Sequence, residues 1–359
     1  MKICFLNGDM SRSGGTERVT SLIANGLCLD ESLEVHILSV TNERNESYFE
    51  LDESIKHETV LKQSSLSLKR DYFKVVRGIR QYLIENQIDV LIDVDVICNV
   101  YSILARWNTK VRHISWEHFN YFSNNGSVLR DVARQLTRIF SEHVVVLTEQ
   151  DKQNYSKHLN ISHKVSCIYN PIVSSKSVAC DVTSKQVLSV GRLTYQKGFD
   201  LLCEIARDVF SEHPDWTWLI LGEGEDRALL EQKIHDYGLS KHLILKGNVT
   251  DVASYYESSS LFVMTSRYEG LPMTLLEAKV HQLPIVSFDC QTGPRDIISH
   301  DIDGYLIPVG ELSQMKEALK QLMRDESKRQ LFSEASRQTL PKFNYDKVVS
   351  QWKALLFEH

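Results

Sequence analysis

Residues 260–280 read SLFVMTSRYEGLPMTLLEAKV, and this stretch sets the fold. Ser260 to Met264 is a short apolar run, the pattern of a parallel strand covered on both faces. Gly270 loosens the chain, and Pro272 suits the first turn of a helix that the pattern carries on to Val280. The amides near Leu271, Thr274 and Leu275 then point outward from the helix start as an anion site. Glu269 lies in the loop before that helix and Glu277 on the helix itself. An acid at the mouth of a phosphate site can bond sugar hydroxyls, and one further in can accept from a ribose diol.

The same rhythm extends in both directions. Strand Lys2 to Leu6, a loop with Gly14 and Gly15, and a helical run from Val19 to Leu27 open the chain. Strand Glu34 to Val40, a helix over Asp71 to Glu85, and strands at Asp89–Ile92, Arg112–Ser115, His143–Leu147 and Lys164–Ile168 follow, with a helix at Val128 to Phe140. Alternating strands and helices predict parallel sheets covered on both faces. Near Asn170-Pro171 the rhythm breaks, and a second series starts at Gln186. It carries strands at Gln186–Val190, Thr217–Leu221, Leu243–Lys246 and Pro284–Phe288. The expected organisation is a domain over 1–172, a linker over 173–185, a second domain over 186–340 and a C-terminal helical segment over 341–359 that packs back on the first.

The loop after Val190 holds Gly191, Arg192, Leu193, Gln196, Lys197 and Gly198. Arginine offers a planar fork and lysine a point charge, so Arg192 and Lys197 suit one diphosphate. Neither this loop nor Ser13-Gly14-Gly15-Thr16-Glu17-Arg18 is GxGxxG, so a nicotinamide or flavin cofactor is not indicated. The formal charge of −6 speaks against a nucleic-acid binder. Seven scattered cysteines without a CxxC pair fit buried thiols rather than a disulfide framework or zinc site. Asp93-Val94-Asp95 and Asp301-Ile302-Asp303 match D-x-D, yet no convergent oxygen cluster is visible and no metal is expected. The short apolar start and the lack of an ~18-residue apolar stretch predict a cytoplasmic chain.

Glu269 and Glu277 enclose seven residues, the E-x7-E pattern of retaining glycosyltransferases of GT-B architecture, and the chain resembles family four of that group. Gly14-Gly15-Thr16-Glu17-Arg18 resembles its GGxER loop, Glu117-His118 its EH pair, and Asn170-Pro171 its pre-linker NP. Gly191-Arg192-Leu193 with Gln196-Lys197-Gly198, and Gly222-Glu223-Gly224, resemble its diphosphate loops. One departure is Asp296, where many members carry Glu.

The resemblance implies an α/β fold of two Rossmann-like doubly wound domains facing across a cleft. It also implies metal-independent transfer of a hexose or N-acetylhexosamine from a UDP-sugar. The implied acceptor is a sugar on a lipid diphosphate, in the assembly of O-antigen-like surface polysaccharide. Glu269, His118, Arg192 and Lys197 would carry the chemistry. Gly15, Gly191, Gly222, Gly270, Leu271, Thr274 and Glu277 would complete the donor site. Arg192 and Lys197 would neutralise the diphosphate as the glycosidic bond breaks. A front-face route and a covalent intermediate both fit the residues, and the family favours the first. A nucleotide-sugar epimerase and a catalytically silent nucleotide-sugar binder are the alternatives.

Lys69, Arg70, Lys74 and Arg77 lie on an amphipathic helix and, with Arg18, are the residues expected to meet a lipid-linked acceptor or an anionic membrane peripherally. Arg130, Arg134 and Arg138 make a second basic series at helical spacing.

Overall fold

The structure, a computed structural model, describes residues 1–124, 126–173 and 178–358. Residues 174–177 of the expected linker and His359 of the expected C-terminal segment lie outside them. The chain divides into two units, Met1–Pro171 with Tyr345–His359, and Ile172–Asn344.

Unit 1 runs β1 (Lys2–Asn7), α1 (Gly15–Leu27), β2 (Glu34–Thr41), β3 (Lys56–Leu61), α2 (Leu68–Glu85), β4 (Val90–Val94), α3 (Asn99–Ala105), β5 (Arg112–Trp116), α4 (Val128–Phe140), β6 (His143–Val146), α5 (Glu149–Leu159) and β7 (Val165–Cys167). The strands form one parallel sheet in the order β3-β2-β1-β4-β5-β6-β7. Alternate residues face opposite sides. Cys4, Leu6 and Leu91 meet Val75, Ile79 and Leu83 of α2 and Tyr101 of α3 in one core.

Unit 2 runs β8 (Gln186–Val190), α6 (Phe199–Glu212), β9 (Thr217–Leu221), α7 (Arg227–Asp236), β10 (Leu243–Gly247), α8 (Val252–Ser258), β11 (Leu261–Met264), α9 (Met273–Val280), β12 (Ile285–Asp289), α10 (Pro294–Ile297), β13 (Gly304–Pro308), α11 (Leu312–Arg324) and α12 (Glu326–Ala335). Its sheet, also parallel, has the order β10-β9-β8-β11-β12-β13. Val187, Trp218, Ile220, Val263 and Phe288 pack there against α6 and α11. The chain ends in α13 (Tyr345–Phe357), which belongs to unit 1. There Trp352 is fully buried, 4.8 Å from the Trp116 ring, and Tyr345 donates to the Leu22 carbonyl at 2.9 Å.

Both units therefore show the doubly wound Rossmann-like pattern, in which strand order reverses beside the first strand and ligands bind beyond the carboxyl ends at the reversal. In unit 2 the reversal lies between β8 and β11.

Several elements depart from the expected bounds. α2 begins at Leu68 rather than Asp71, because the Asp71 carboxylate accepts from the Ser67 amide at 3.0 Å and fastens an earlier turn. β3, with the polar sequence KHETVL, is an edge strand whose residues are at best half-buried. Residues 178–185, expected within the linker, are tied to unit 2: Cys180 donates to the His281 carbonyl and Asp181 to that of Glu257, each at 2.8 Å. Among the described residues no helix is long and apolar enough to cross a membrane.

Candidate functional site

The β8–α6 and β11–α9 loops of unit 2 leave their strands side by side, and they are joined residue by residue. The Arg267 amide donates to the Gln196 carbonyl at 2.8 Å, Gln196 Nε2 to the Tyr268 carbonyl at 3.1 Å, and Thr265 Oγ1 to the Lys197 carbonyl at 3.1 Å. The Arg267 guanidinium grips Asp200 at 2.7 and 2.8 Å while stacking on the Tyr195 ring at 4.0 Å. Gly198, at φ +65°, closes the loop where any Cβ would collide with the Thr265 carbonyl. Gly222, at φ +131°, lies so close to the Gly191 carbonyl that no side chain fits.

This joining brings Lys197 to Glu269. Lys197 Nζ lies 2.6 Å from Glu269 Oε1, with the carboxylate side chain only 7 % exposed and the ammonium 17 %. Thr292 Oγ1 holds the Glu269 carbonyl at 2.7 Å. Arg192 stands exposed on the same loop as Lys197. α9 opens directly after Pro272, so the amides at its start project beside Gly270, Leu271 and Thr274. Two hydroxyls here, Ser266 Oγ and Thr274 Oγ1, are buried without a hydrogen-bond partner among the described residues. Glu277, one turn into α9, is half-buried and accepts from Tyr256 OH at 2.9 Å. Tyr256, on the preceding helix α8, carries no local signal of this contact in the sequence.

In unit 1, α1 starts at Gly15 with Gly14 as its cap, so Gly15 lies at a helix N-terminus, and Arg18 is exposed one turn on. Glu117 and His118 follow β5. Glu117 is fully buried. Its carboxylate accepts from the Phe119 amide at 3.0 Å, Arg130 at 3.3 Å, Arg134 at 3.2 Å and Tyr155 OH at 2.6 Å. Burial pushes this carboxyl up, with Asp95 adding to the rise, while Arg134 and Arg130 oppose it. His118 packs on Trp116 with ring centroids 4.4 Å apart, and its Nε2 is buried with no partner among the described residues. Burial lowers its pKa to about 4, so the ring is a neutral hydrogen-bonding group at pH 7.

The arginine series on α4 is thus corrected. Arg130 and Arg134 point inward, and Arg130 also grips Asp95 at 2.6 and 2.8 Å. Only Arg138 of the three is exposed, because the buried Glu117 and the partly buried Asp95 draw the others in. Lys69, Arg70, Lys74 and Arg77 are exposed on α2, where Arg70 pairs with Asp71. Of the D-x-D pairs, Asp93 accepts from His113 at 2.9 Å, Asp95 serves Arg130, Asp301 pairs with Lys328 at 2.8 Å, and Asp303 forms a fully buried pair with Lys279. Each is engaged by a cationic or imidazole partner.

Family profiles cover nearly the whole chain. "Glycosyltransferase Family 4" matches residues 13–176, and "Glycosyl transferases group 1" matches residues 173–339. A glycosyltransferase of Haemophilus influenzae is 30% identical over 355 residues, covering 99% of both chains. The amylovoran biosynthesis glycosyltransferase of Erwinia amylovora is 30% identical over 365 residues, again with 99% of both covered. An alpha-1,4-N-acetyl-D-galactosaminyltransferase of Campylobacter jejuni, named for a saccharide on PP-undecaprenol, is 27% identical over 369 residues, covering 100% of this chain and 99% of its own. Among solved structures, an Anabaena protein crystallised with UDP and glucose shares the fold at TM-score 0.82 and 17% identity, with 99% of both chains covered.

Proposed function

Since the chain belongs to the glycosyltransferases of group 1 and family 4, with the GT-B fold, we propose that it is a retaining transferase acting on a UDP-sugar. On this reading it moves a hexose or N-acetylhexosamine to a sugar carried on a lipid diphosphate, in surface-polysaccharide assembly. The observation that carries the reading is the Lys197–Glu269 pair at the strand-order reversal of unit 2, with Arg192 on the same loop. The amylovoran and PP-undecaprenol relatives support the pathway and the acceptor class.

In the proposed reaction the bond between the anomeric carbon and the diphosphate oxygen breaks, and an acceptor hydroxyl oxygen bonds to that carbon. The hydroxyl proton leaves with the nucleoside diphosphate. Negative charge grows on the diphosphate, where Lys197 and Arg192 stabilise it more than they stabilise the intact donor. Glu269 aims the ammonium before the donor arrives and bonds sugar hydroxyls afterwards. The start of α9 and the hydroxyls of Ser266 and Thr274 supply neutral donors to phosphate oxygens. Glu277 accepts from the ribose diol, and the neutral imidazole of His118 is a hydrogen-bonding group suited to sugar hydroxyls. The two cations take the role that a metal fills elsewhere, so a chelator should leave turnover intact.

Mass spectrometry tests this directly, using a panel of nucleotide sugars, a synthetic lipid-diphosphate sugar and chelator throughout. A product heavier by one sugar is expected, with turnover about a hundredfold or more lower in Glu269→Ala and Lys197→Ala. Near-full turnover in either variant would remove these residues from the site, and a rearranged nucleotide sugar without transfer would replace transferase by epimerase.

A further inference from the structure

Three neighbouring helices of unit 1 form one continuous layer. Tyr72 OH on α2 donates to the Val100 carbonyl of α3 at 2.9 Å, and Arg80 Nη1 reaches the carbonyls of Ala105 at 3.0 Å and Trp107 at 2.6 Å. Asn99 of α3 bonds Thr137 of α4, and Arg106 bonds the Phe140 carbonyl. Arginine side chains thus fasten the layer from within.

The outer face of this layer carries large exposed apolar side chains among its charged ones. α4 is the clearest case: it buries Arg130, Arg134 and Thr137 and turns Val128, Val132 and Ile139 outward. Val128 is 74% exposed and Ile139 68%, with Val132 exposed between them. On the α2 and α3 part of the layer, Phe73 is 76% exposed and Trp107, just past α3, 64%. Phe73, Val76, Arg77, Leu104 and Trp107 line a groove between α2 and α3. Contiguous exposed apolar side chains of this kind mark an interaction surface.

Charge decides the partner. The exposed charged residues of the three helices are the cations Lys69, Arg70, Lys74, Arg77 and Arg138 and the acids Glu85 and Asp131. Five cations against two acids, in a chain of net charge −6, concentrate positive charge on this one layer. A second copy of the same face would bring lysines and arginines against their equivalents. Apolar side chains among basic ones instead match the boundary of an anionic bilayer, where rings and aliphatic groups enter the acyl edge and cations meet lipid phosphates.

We propose that the outer face of α2, α3 and α4 is a membrane-contact surface for anionic lipid, inserting Phe73, Trp107, Val132 and Ile139. The proposal deepens the lipid-linked acceptor reading and rests on it, since a transferase acting on such an acceptor works at a bilayer surface.

The chain carries its own probe. Of its five tryptophans, Trp107 is exposed and Trp116, Trp216, Trp218 and Trp352 are buried. Adding vesicles of phosphatidylethanolamine with phosphatidylglycerol should shift the emission to the blue and shield it from a soluble quencher. Phosphatidylcholine vesicles should produce little change, and Trp107→Phe should abolish the shift. Lys74→Gln with Arg77→Gln should weaken co-sedimentation about thirtyfold, from roughly a fivefold loss per cation. Val132→Ser with Ile139→Ser should weaken it as well, with circular dichroism unchanged.

Failure to sediment with phosphatidylglycerol vesicles, or binding indifferent to both pairs of substitutions, overturns the surface. So does a concentration-dependent dimer dissolved by Val132→Ser with Ile139→Ser. Transfer by the unaltered chain to a short-chain, water-soluble diphosphate acceptor separates the two readings. Transfer without vesicle binding sinks the surface alone, and vesicle binding without transfer to any diphosphate acceptor sinks the acceptor reading.

Discussion

Lys197 and Glu269 lie 2.6 Å apart although 72 positions separate them. The pairing could not be read from local pattern, because it depends on which strands are neighbours. The two motifs were legible separately, as a basic loop after one strand and an acid before one helix. The parallel pairing of β8 with β11 turns them into one site. Asp151 and Tyr155 escaped notice for the same reason: they reach the Glu117 region from α5, through Tyr121 N at 2.8 Å from Asp151 and Tyr155 OH at 2.6 Å from Glu117. Burial raises the Asp151 carboxyl to about 7, with nearby Glu117 adding to the rise and Arg134 opposing it. The folded chain therefore holds this proton more tightly than the unfolded one. The stability it lends is complete below the unfolded value near 4 and is lost as pH rises through about 7. Asparagine keeps the acceptor for Tyr121 without titrating. Asp151→Asn should gain stability relative to the unaltered chain between about pH 4 and pH 8. Urea unfolding at both ends of that range checks it, and a pH-independent difference would show that burial does not govern this carboxyl.

At the scale of elements, the strands with two covered faces were legible because they are apolar runs, and the helices because of their period. The sequence left undecided which way α4 faces. Its aliphatic stripe and its arginine stripe repeat at the same spacing, and apolar residues ordinarily turn inward. The buried carboxylate of Glu117, with Asp95 at its side partly buried, reverses that choice, since a buried acid without its cation costs more than an exposed valine. β3 was missed because an edge strand with exposed positions looks like polar loop. Arg134→Ala should therefore destabilise the protein by about 3–5 kcal/mol by leaving Glu117 short of a partner. Val132→Ser on the outward face should stay within about 0.5 kcal/mol. Urea unfolding without vesicles compares the two, and equal losses would contradict the inverted orientation.

At the scale of the whole molecule, the long apolar strands and recurring helices made the two-sheet plan legible. The membership of α13 follows from packing. Trp352 is buried against Trp116 and, at 6.5 Å, Phe5, while Arg112 donates to the carbonyls of Leu355 at 3.0 Å and Leu356 at 2.9 Å. Gly26 leaves room for Val349 and Tyr345 against α1. A chain cut after Asn344 should thus lose hydrogen-exchange protection in β1, α1 and β5 while β8, β9 and β11 stay protected. Loss confined to unit 2, the unit adjoining the cut, would refute the packing.

That same helix sets an order of events on the ribosome. Synthesis runs from the amino end, so the strands of unit 1 emerge first, yet the indole that seals one side of their sheet is made only after all of unit 2. The first-born unit must wait, with Phe5 and Trp116 lacking their cover, while the second is translated and folds. A chaperone that shields apolar sheet faces during translation would find its longest-lived target in the earlier-made of the two units.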